Sequence, residues 1–324
     1  MAEPIERSSD TATNHINIGT RGSQLALWQA NWTRRAIMER FPETTVELVT
    51  IKTKGDKILD VPLAKVGGKG LFVKEIEDAM LAGRIDLAVH SMKDMPAKIP
   101  PGLCIGAVPE REIPQDALVS RERIPLDRLP RGARVGTSSL RRGAQLKSVR
   151  PDIEIVPLRG NLDTRLRKLN TENLDAVILA AAGLKRMGLQ DRVTEYIDDD
   201  RMLPAVGQGA LCIECRENDP AVAPVMAALD HPETRTVVMG ERAFLNRLEG
   251  GCQVPIAAHG TLTGEVLTLQ GLVASLDGAT VIRESLSGPA RDAESIGVAL
   301  AERLIASGAG PILESLKELH EING

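Results

Sequence analysis

Three segments of the first half of the chain recur in the same order in the second half, and each consists of a strand-like run and the polar turn after it. The matched pairs are residues 18–23 with 135–139, residues 46–56 with 153–161, and residues 85–89 with 174–177. An ordered internal repeat is typical of a chain built from similar structural units. We therefore expect two similar α/β lobes that face each other across a cleft.

Short apolar runs alternate with longer helical patterns up to about residue 230. This alternation indicates α/β units around largely parallel, doubly wound sheets. The predicted helices are 24–38 and 71–82, and the predicted strands include 46–51, 85–89 and 134–136. Proline and glycine cluster at residues 96–114 and again at 203–209, which predicts two crossovers between the lobes.

The pattern changes beyond residue 228. A helix is predicted at 233–248 and another at 293–305, and the strands 266–274 and 280–282 flank Asp277-Gly278 in a hairpin signal. We therefore expect a small C-terminal α/β domain whose sheet is covered by helices. The predicted organisation is a disordered tail (1–15), an active-site lobe (16–110 with 208–228), an arginine-rich lobe (111–207) and a third domain (229–324) that carries Cys252.

The overall charge excludes several classes of partner. The net charge is -4 and aromatic residues make up 2% of the chain, so we expect no nucleic acid, which needs a basic surface and stacking platforms. The longest continuous apolar run, Ala176 to Leu184, is far shorter than the roughly 20 residues of a membrane helix, so we expect no membrane partner. The acidic, polar start and four irregularly spaced cysteines favour a cytoplasmic protein.

A basic cluster lies between residues 131 and 168, where ten basic residues stand against three acidic ones. Arg141 and Arg142 follow a predicted helix N-terminus, where free N–H groups and the helix dipole favour anions. Arginine also binds carboxylates through two parallel hydrogen bonds. A solvated basic face is the alternative interpretation, but the position of these residues at strand ends favours a cleft for a ligand with several carboxylates or phosphates.

Two further segments carry groups suited to chemistry. Residues 66–70 are glycine-rich but lack the spacing of a nucleotide P-loop, so we interpret them as a flexible lid that carries Lys65 and Lys69. Residues 90–94 follow a predicted strand, and Asp94 beside Lys93 is suited to act as an acid, a base or a stabiliser of a cation. Taken alone, an aspartate such as Asp94 is more often the cap of a loop than a catalyst.

The four cysteines have different contexts. Cys212 and Cys215 form a C-x-x-C pair within a predicted strand, and without a second pair we expect neither zinc binding nor redox chemistry. Cys104 has the pattern of a core residue. Cys252 lies in a loop between two glycines and Gln253, where a thiol is suited to be a nucleophile or an attachment point.

Seven motifs in one order resemble those of the porphobilinogen deaminase family, also called hydroxymethylbilane synthases. They are GTRGSQLALW (19–28), AKVGGKGLF (64–72), VHSMKD (89–94), VGTSSLRR (135–142), LRGN (158–161), LPAVGQG (203–209) and LEGGCQVP (248–255). The resemblance extends over nearly the whole chain from Ile16 onward. It implies three α/β domains, of which the first two are similar lobes of the periplasmic-binding-protein type.

The resemblance also implies an activity. Four porphobilinogen molecules are joined head to tail with loss of ammonia to give linear hydroxymethylbilane, a step of tetrapyrrole, porphyrin and heme biosynthesis catalysed by a transferase. The growing chain is held on a dipyrromethane cofactor that is attached by a thioether to the position matching Cys252, and Asp94 matches the catalytic carboxylate. The positions expected to bind cofactor or substrate are Arg21, Ser23, Lys65, Phe72, Ser91, Lys93, Thr137, Ser138, Ser139, Arg141, Arg142, Arg159, Arg165 and Arg186.

Departures from the family pattern are few. Cys212 stands where a small residue such as glycine is expected, and the segment before Ile16 is slightly longer than the motifs need. Two rival functions remain open to the residues alone: a non-catalytic two-lobed receptor for an anionic ligand, and a transferase that acts on phosphorylated substrates. The family resemblance favours the deaminase, acting as a monomer on a small-molecule substrate.

Overall fold

The structure is a computed structural model that describes residues 15–57, 73–248 and 254–323 of the chain. Lys65, Lys69, Phe72 and Cys252, all singled out from the sequence, lie outside the described residues. Three β-sheets account for the described strands: two have five strands each, and the third has three.

The helices and strands follow one another in three parts of the chain. The first part contains β1 (His15–Thr20), α1 (Gln24–Arg40), β2 (Thr45–Thr50), α2 (Lys54–Lys57), α3 (Lys74–Leu81), β3 (Leu87–Ser91) and β4 (Leu103–Ala107). The second contains β5 (Asp116–Ser120), β6 (Arg134–Gly136), α4 (Leu140–Val149), β7 (Glu154–Val156), α5 (Leu162–Thr171), β8 (Ala176–Ala180), α6 (Ala181–Arg186) and β9 (Glu195–Ile197). The third contains β10 (Leu211–Arg216), α7 (Ala223–Leu229), α8 (Pro232–Arg247), β11 (Ile256–Thr263), β12 (Val266–Ala274), β13 (Val281–Pro289), α9 (Ala293–Leu304) and α10 (Gly310–Asn323).

The two five-stranded sheets have equivalent topologies, as the internal repeat predicts. The first has the order β2-β1-β3-β10-β4 and the second the order β7-β6-β8-β5-β9. In each, the first three strands are parallel, whereas the fourth strand runs antiparallel to both of its neighbours. The expectation of largely parallel sheets is therefore confirmed for four of the five strands in each sheet, because the fifth strand runs antiparallel to the fourth and so points in the same direction as the first three.

The same sequence signals begin and end the equivalent helices of the two sheets. Ser23 caps α1 by accepting a hydrogen bond from the Ala26 amide, and Ser139 caps α4 in the same way. Each helix ends just before a proline, Pro42 or Pro151, because the residue before proline is restricted to extended conformations. The first helix therefore runs two residues past its predicted end at Met38.

Two predicted boundaries in the first lobe are shifted. The α3 helix begins at Lys74, although the apolar pattern predicts residue 71, and the next strand occupies Leu87–Ser91 where 85–89 was expected. The shift places Ile85 in the core beside α3, and it carries the strand two residues further toward the turn that follows. The strand is buried on both faces, so its apolar run alone does not define where pairing starts.

The C-terminal sheet has helices on one face. Strands β12 and β13 pair along nine residues each, which confirms the predicted hairpin. Phe244 of α8, fully buried, packs with Leu300 and Leu304 of α9 in the core of this unit. The stretch Ala290–Leu316 is long and apolar enough to cross a membrane by length and composition alone, but its α9 side chains belong to this core.

One carboxylate joins the C-terminal unit to both crossovers. Glu241 of α8 is fully buried and forms an ion pair at 2.6 Å with Arg111 of the first crossover. It also accepts hydrogen bonds from the backbone of Gly207 in the second crossover and of Gly260 in β11, at 2.7 and 2.9 Å. Buried charges are tolerated only when paired in this way, so the arrangement fixes the crossovers against the third sheet.

A second buried polar cluster lies between α3 and the first sheet. His90 of β3 is 3.0 Å from Glu214 of β10, and both side chains are almost inaccessible to solvent. Burial, with the negative charge of Glu214 beside it, raises the pKa of Glu77 on α3 to about 7. One oxygen of Glu77 and one of Glu214 make no hydrogen bond to any residue that the structure describes.

We expect Glu77→Gln to be more stable than the wild type above pH 8. The pKa of Glu77 is raised on folding, so its stabilising contribution is complete below pH 4.5 and is lost as the pH rises through about 7. The amide keeps the shape of the side chain without the charge, and the gain should be on the order of 1–3 kcal/mol. Urea denaturation at pH 6 and at pH 8.5 measures it.

The matched control is Asp78→Asn, the same chemical change at an exposed position of the same helix. It should alter stability by less than about 0.5 kcal/mol at either pH. An equal response of the two variants, or a Glu77→Gln variant that loses stability at pH 8.5, would contradict the interpretation of Glu77 as a buried carboxyl group with a raised pKa.

Candidate active site

The turn after β3 presents three of the predicted site residues. The strand ends at Ser91 and passes into a 3-10 turn at Met92–Asp94, which the buried Met92 anchors through a hydrogen bond from its amide to Ala210. Lys93 is half-buried and Asp94 is exposed. The carboxyl end of β3 therefore directs a hydroxyl, an ammonium and a carboxylate to one edge of the sheet.

The loop from β1 to α1 lies at the same edge, because β1 and β3 are parallel neighbours. Arg21 and Ser23 are half-buried in this loop. Gln29 of α1, itself buried, donates a hydrogen bond of 2.9 Å to the hydroxyl of Ser91. The hydroxyl of Ser91 accepts from this amide, so its own hydrogen is directed elsewhere and is suited to a carboxylate oxygen.

The second lobe offers an equivalent loop between β6 and α4. The hydroxyl oxygens of Thr137, Ser138 and Ser139 accept backbone hydrogen bonds from Ser139, Leu158 and Arg142. Each hydroxyl therefore retains its hydrogen as a donor. Beside the free N–H groups at the start of α4, these donors suit an anionic ligand.

Arg141 and Arg142 lie deeper than the sequence suggests. Both are about 5% exposed, and their guanidinium groups hold the carboxylate of Asp116 at 2.7 Å. Arg141 also donates to the carbonyl of Leu203, and Arg142 to that of Ile178. The two guanidinium groups hold the pKa of Asp116 well below its usual range, so this buried carboxylate stays ionised.

Arg165 of the second lobe lies near the turn that carries Asp94. Its Nε donates a hydrogen bond of 2.8 Å to Gly160, in the loop that Arg159 precedes. Burial, with the positive charges of Arg142 and Arg159, lowers the pKa of Arg165 to about 10, while Asp94 opposes this shift. Asp94 of the first lobe is therefore near enough to Arg165 of the second for their charges to interact.

Arg186 lies at the end of α6, where the second lobe meets the first. Its guanidinium group is 5.9 Å from the ring centre of Trp28 on α1 and donates a hydrogen bond of 2.7 Å to the carbonyl of Gly209. Burial lowers its pKa to about 10, and Glu112 opposes that effect. The guanidinium group of Arg186 therefore helps to hold the two lobes and the second crossover together.

The basic groups around the Lys93–Asp94 turn outnumber the carboxylates among them. Burial, followed by the positive charge of Arg142, lowers the pKa of Lys93 to about 8. The groups linked by these mutual effects are Lys93, Arg141, Arg142, Arg159 and Arg165 on the basic side and Asp94 and Asp116 on the acidic side. Five positive groups against two negative ones leave an excess of three, which fits a ligand bearing several carboxylates.

The cysteines that the structure describes are packed into the first lobe. Cys212 and Cys215 belong to different core clusters on opposite faces of β10, so their thiols do not converge on a common ligand. Burial raises the pKa of both thiols. Cys104 lies against the same core as Cys215, with 3.7 Å between their sulfur atoms.

Several residues that organise the cleft were missed in the sequence. Asp116 is the first residue of the apolar strand β5, and nothing in the neighbouring sequence distinguishes it from an ordinary polar residue at the end of a strand. Gln29 and Gln208 are neutral amides, which carry no pattern of their own, although Gln208 stands in the motif at 203–209. Only the partners that they meet in the folded chain show their importance.

Two family models cover most of the chain. The model described as "Porphobilinogen deaminase, dipyromethane cofactor binding domain" matches residues 16–224, and that described as "Porphobilinogen deaminase, C-terminal domain" matches residues 236–306. The porphobilinogen deaminase of Geobacter sulfurreducens is 59% identical over 302 residues, which cover 93% of this chain and 95% of that protein. That of Trichlorobacter lovleyi is 58% identical over 305 residues, which cover 94% and 97%.

Solved structures offer a more distant comparison. The crystal structure of the methionine binding protein MetQ is 17% identical, covers 68% of this chain and 92% of its own, and superposes with a TM-score of 0.42. That likeness is too weak to support an argument, and the fold assignment rests on the sheets described above. The two family models together match most of the chain, and its relatives are 58–59% identical over more than nine-tenths of their length. The chain therefore belongs to the porphobilinogen deaminase family of transferases.

Proposed function

We propose that the cleft between the two lobes joins four porphobilinogen molecules head to tail on a dipyrromethane held by a thioether to Cys252, and then releases linear hydroxymethylbilane by hydrolysis. Asp94 is the catalytic carboxylate in this proposal. The observation that carries it is the position of Asp94, exposed in the turn after β3 and near enough to Arg165 of the other lobe for their charges to interact.

The carboxylate of Asp94 has two tasks at each condensation. As ammonia leaves the aminomethyl carbon of porphobilinogen, positive charge develops on the pyrrole, and a nearby carboxylate stabilises it while accepting a hydrogen bond from the pyrrole N–H. The new carbon–carbon bond then releases one proton from the attacked ring carbon, which balances the proton that the leaving amine takes up. Asp94 is placed to mediate this transfer.

The basic residues bind the side chains of the pyrroles. Each ring carries an acetate and a propionate, and the positive excess at the cleft matches those charges. Lys93, Arg165 and the hydroxyls of Ser23, Ser91 and Ser138 supply donors, while Asp116 keeps the Arg141–Arg142 pair in place. When bound, the dipyrromethane supplies the nucleophilic pyrrole carbon that starts the chain.

The proposal also includes the cofactor attachment site, the oligomeric state and partners, and the location of the protein. The thioether at Cys252 is supported by the match of residues 248–255 to the family motif. A monomer that acts without nucleic acid or membrane is supported by the family resemblance and the net charge of -4. A cytoplasmic location is supported by the four irregularly spaced cysteines, which suit a reducing compartment.

The stoichiometry of the reaction tests the proposal. Purified protein incubated with porphobilinogen should release one ammonia for each porphobilinogen consumed and form one hydroxymethylbilane for every four. A receptor binds its ligand without consuming it, and a transferase of phosphorylated substrates requires a phosphorylated co-substrate. Binding of porphobilinogen without ammonia release, in protein whose Cys252 carries the cofactor, would overturn the proposal.

A further inference from the structure

A fully buried amide lies at the point where the two lobes and the second crossover meet. Gln208 stands between Gly207 and Gly209, whose φ angles of 68° and 89° favour glycine. A side chain at Gly207 would strike Met92, and one at Gly209 would strike the carbonyl oxygen of Glu112. The crossover is therefore packed directly against the turn that carries Lys93 and Asp94.

The side chain of Gln208 contacts both lobes. Its Nε2 donates to the carbonyl of Pro114 at 2.6 Å and to a carboxylate oxygen of Asp116 at 2.9 Å. Its Oε1 accepts from Nζ of Lys93 at 3.4 Å. The amide orientation follows from these partners, since two acceptors face the nitrogen and an ammonium faces the oxygen.

This contact extends a charged network from one lobe to the other. Asp116, at the far end of the Gln208 amide, is the carboxylate that holds Arg141 and Arg142. The two arginines repel Lys93, whereas Asp94 and Asp116 attract it. The neutral amide of Gln208, together with Asp116, thus links the Lys93 ammonium of the first lobe to the Arg141–Arg142 pair of the second. It connects positively charged groups that repel each other.

We propose that Gln208 is a positioning residue that holds the Lys93–Asp94 turn in register with the Arg141–Arg142 pair. The proposal rests on the function proposed above, since it assigns Lys93 to carboxylate binding and Asp94 to catalysis. Gln208 does not touch substrate in this account. It acts by fixing Lys93 Nζ through one end of its amide and Asp116 through the other.

The role has a consequence for the pH dependence of kcat/KM. Lys93 binds a carboxylate only when protonated, and its pKa of about 8 places the loss of that proton within the measurable range. The groups that act on it are Arg141 and Arg142 of α4, Asp116 of β5 and Asp94 of its own turn. Removing the Gln208 oxygen removes an acceptor that favours the ammonium, so the pKa should fall further.

The test compares Gln208→Met with Gln145→Met. Gln145 is also buried, and its amide also holds the second crossover, through Leu203 at 2.7 and 3.0 Å, but within the described part of the chain it makes no hydrogen bond to Lys93. We expect both variants to lose stability to a similar extent. Only Gln208→Met should lower kcat/KM, by roughly 10-fold or more, and shift the alkaline limb of its pH profile by about one unit to lower pH.

Two further variants complete the experiment. Lys93→Arg should remove the alkaline limb, because arginine does not titrate in this range. Loss of the limb in this variant would assign it to deprotonation of Lys93. Gln208→Asn, whose amide is one methylene too short to bridge Lys93 and Asp116, should shift the limb in the same direction if Gln208→Met fails to fold. Equal pH profiles for the Gln208 and Gln145 variants, or an unchanged limb in Lys93→Arg, would overturn the inference. Failure of the wild-type protein to turn over porphobilinogen would instead overturn the function.

Discussion

Asp94→Asn should lower the rate of porphobilinogen consumption by at least 10²- to 10³-fold while the fold remains intact. Asparagine keeps the size and the hydrogen-bonding oxygen of the side chain but removes the negative charge that stabilises the cationic pyrrole and the group that mediates proton transfer. Each of these contributions is typically worth about 10²- to 10³-fold in rate. Because Asp94 is exposed at the end of its turn, the substitution should cost little stability. Steady-state assays, together with the far-ultraviolet circular dichroism spectrum, measure both effects.

The control for Asp94→Asn is again Asp78→Asn, which changes an exposed carboxylate of α3 that pairs with Lys74. It should leave the rate unchanged. Turnover of the Asp94 variant within about threefold of the wild type would remove Asp94 from the catalytic role.

Arg165→Gln should raise KM for porphobilinogen by roughly 10- to 100-fold. A charge-assisted hydrogen bond to a carboxylate is typically worth about 1.5–3 kcal/mol, and the half-buried Arg165 lies where solvent screens it weakly. Arg165 also faces Asp94 electrostatically, so a smaller effect on kcat is expected as well. Initial rates over a range of substrate concentrations separate the two effects.

Arg167→Gln is the matched control for Arg165→Gln. It removes the same charge two residues further along α5, at an exposed position. Its KM should stay within about twofold of the wild-type value, because solvent and salt screen an exposed charge. Similar KM values for the two variants would mean that the general positive field of the lobe, rather than the site of Arg165, binds the substrate.

The architecture was largely predictable because the signals that define it are local or repeated. The three matched segments predict equivalent lobes, and the first three strands of each sheet occupy them in the same order. A serine cap and a proline bound α1 within two residues of its predicted end, and α4 begins at the predicted helix N-terminus. The antiparallel fourth strands were missed, because β10 pairs with β3 and β4 across more than a hundred residues of sequence, and such pairing leaves no local pattern.

The position of several candidate residues at strand ends was predictable from the sequence, but the contacts among them were not. The residues after β1, β3 and β6 lie at strand ends, as the sequence indicates. Charge counting treats all arginines alike, however, and only the fold distinguishes Arg141 and Arg142, which bind Asp116, from Arg165, which faces Asp94. The connection through Gln208 was invisible for the same reason, since a neutral amide gains its role from partners distant in sequence.

The central claim is that this chain builds its product on a cofactor attached to Cys252, and the intact mass of the denatured protein tests it most directly. The wild-type protein should exceed the mass calculated for 324 unmodified residues by about two pyrrole units, and Cys252→Ser should show no excess. Brief incubation with porphobilinogen should add further whole rings to the wild type only. A wild-type mass that stays unmodified even after incubation with porphobilinogen, or an excess that persists in Cys252→Ser, would contradict the account.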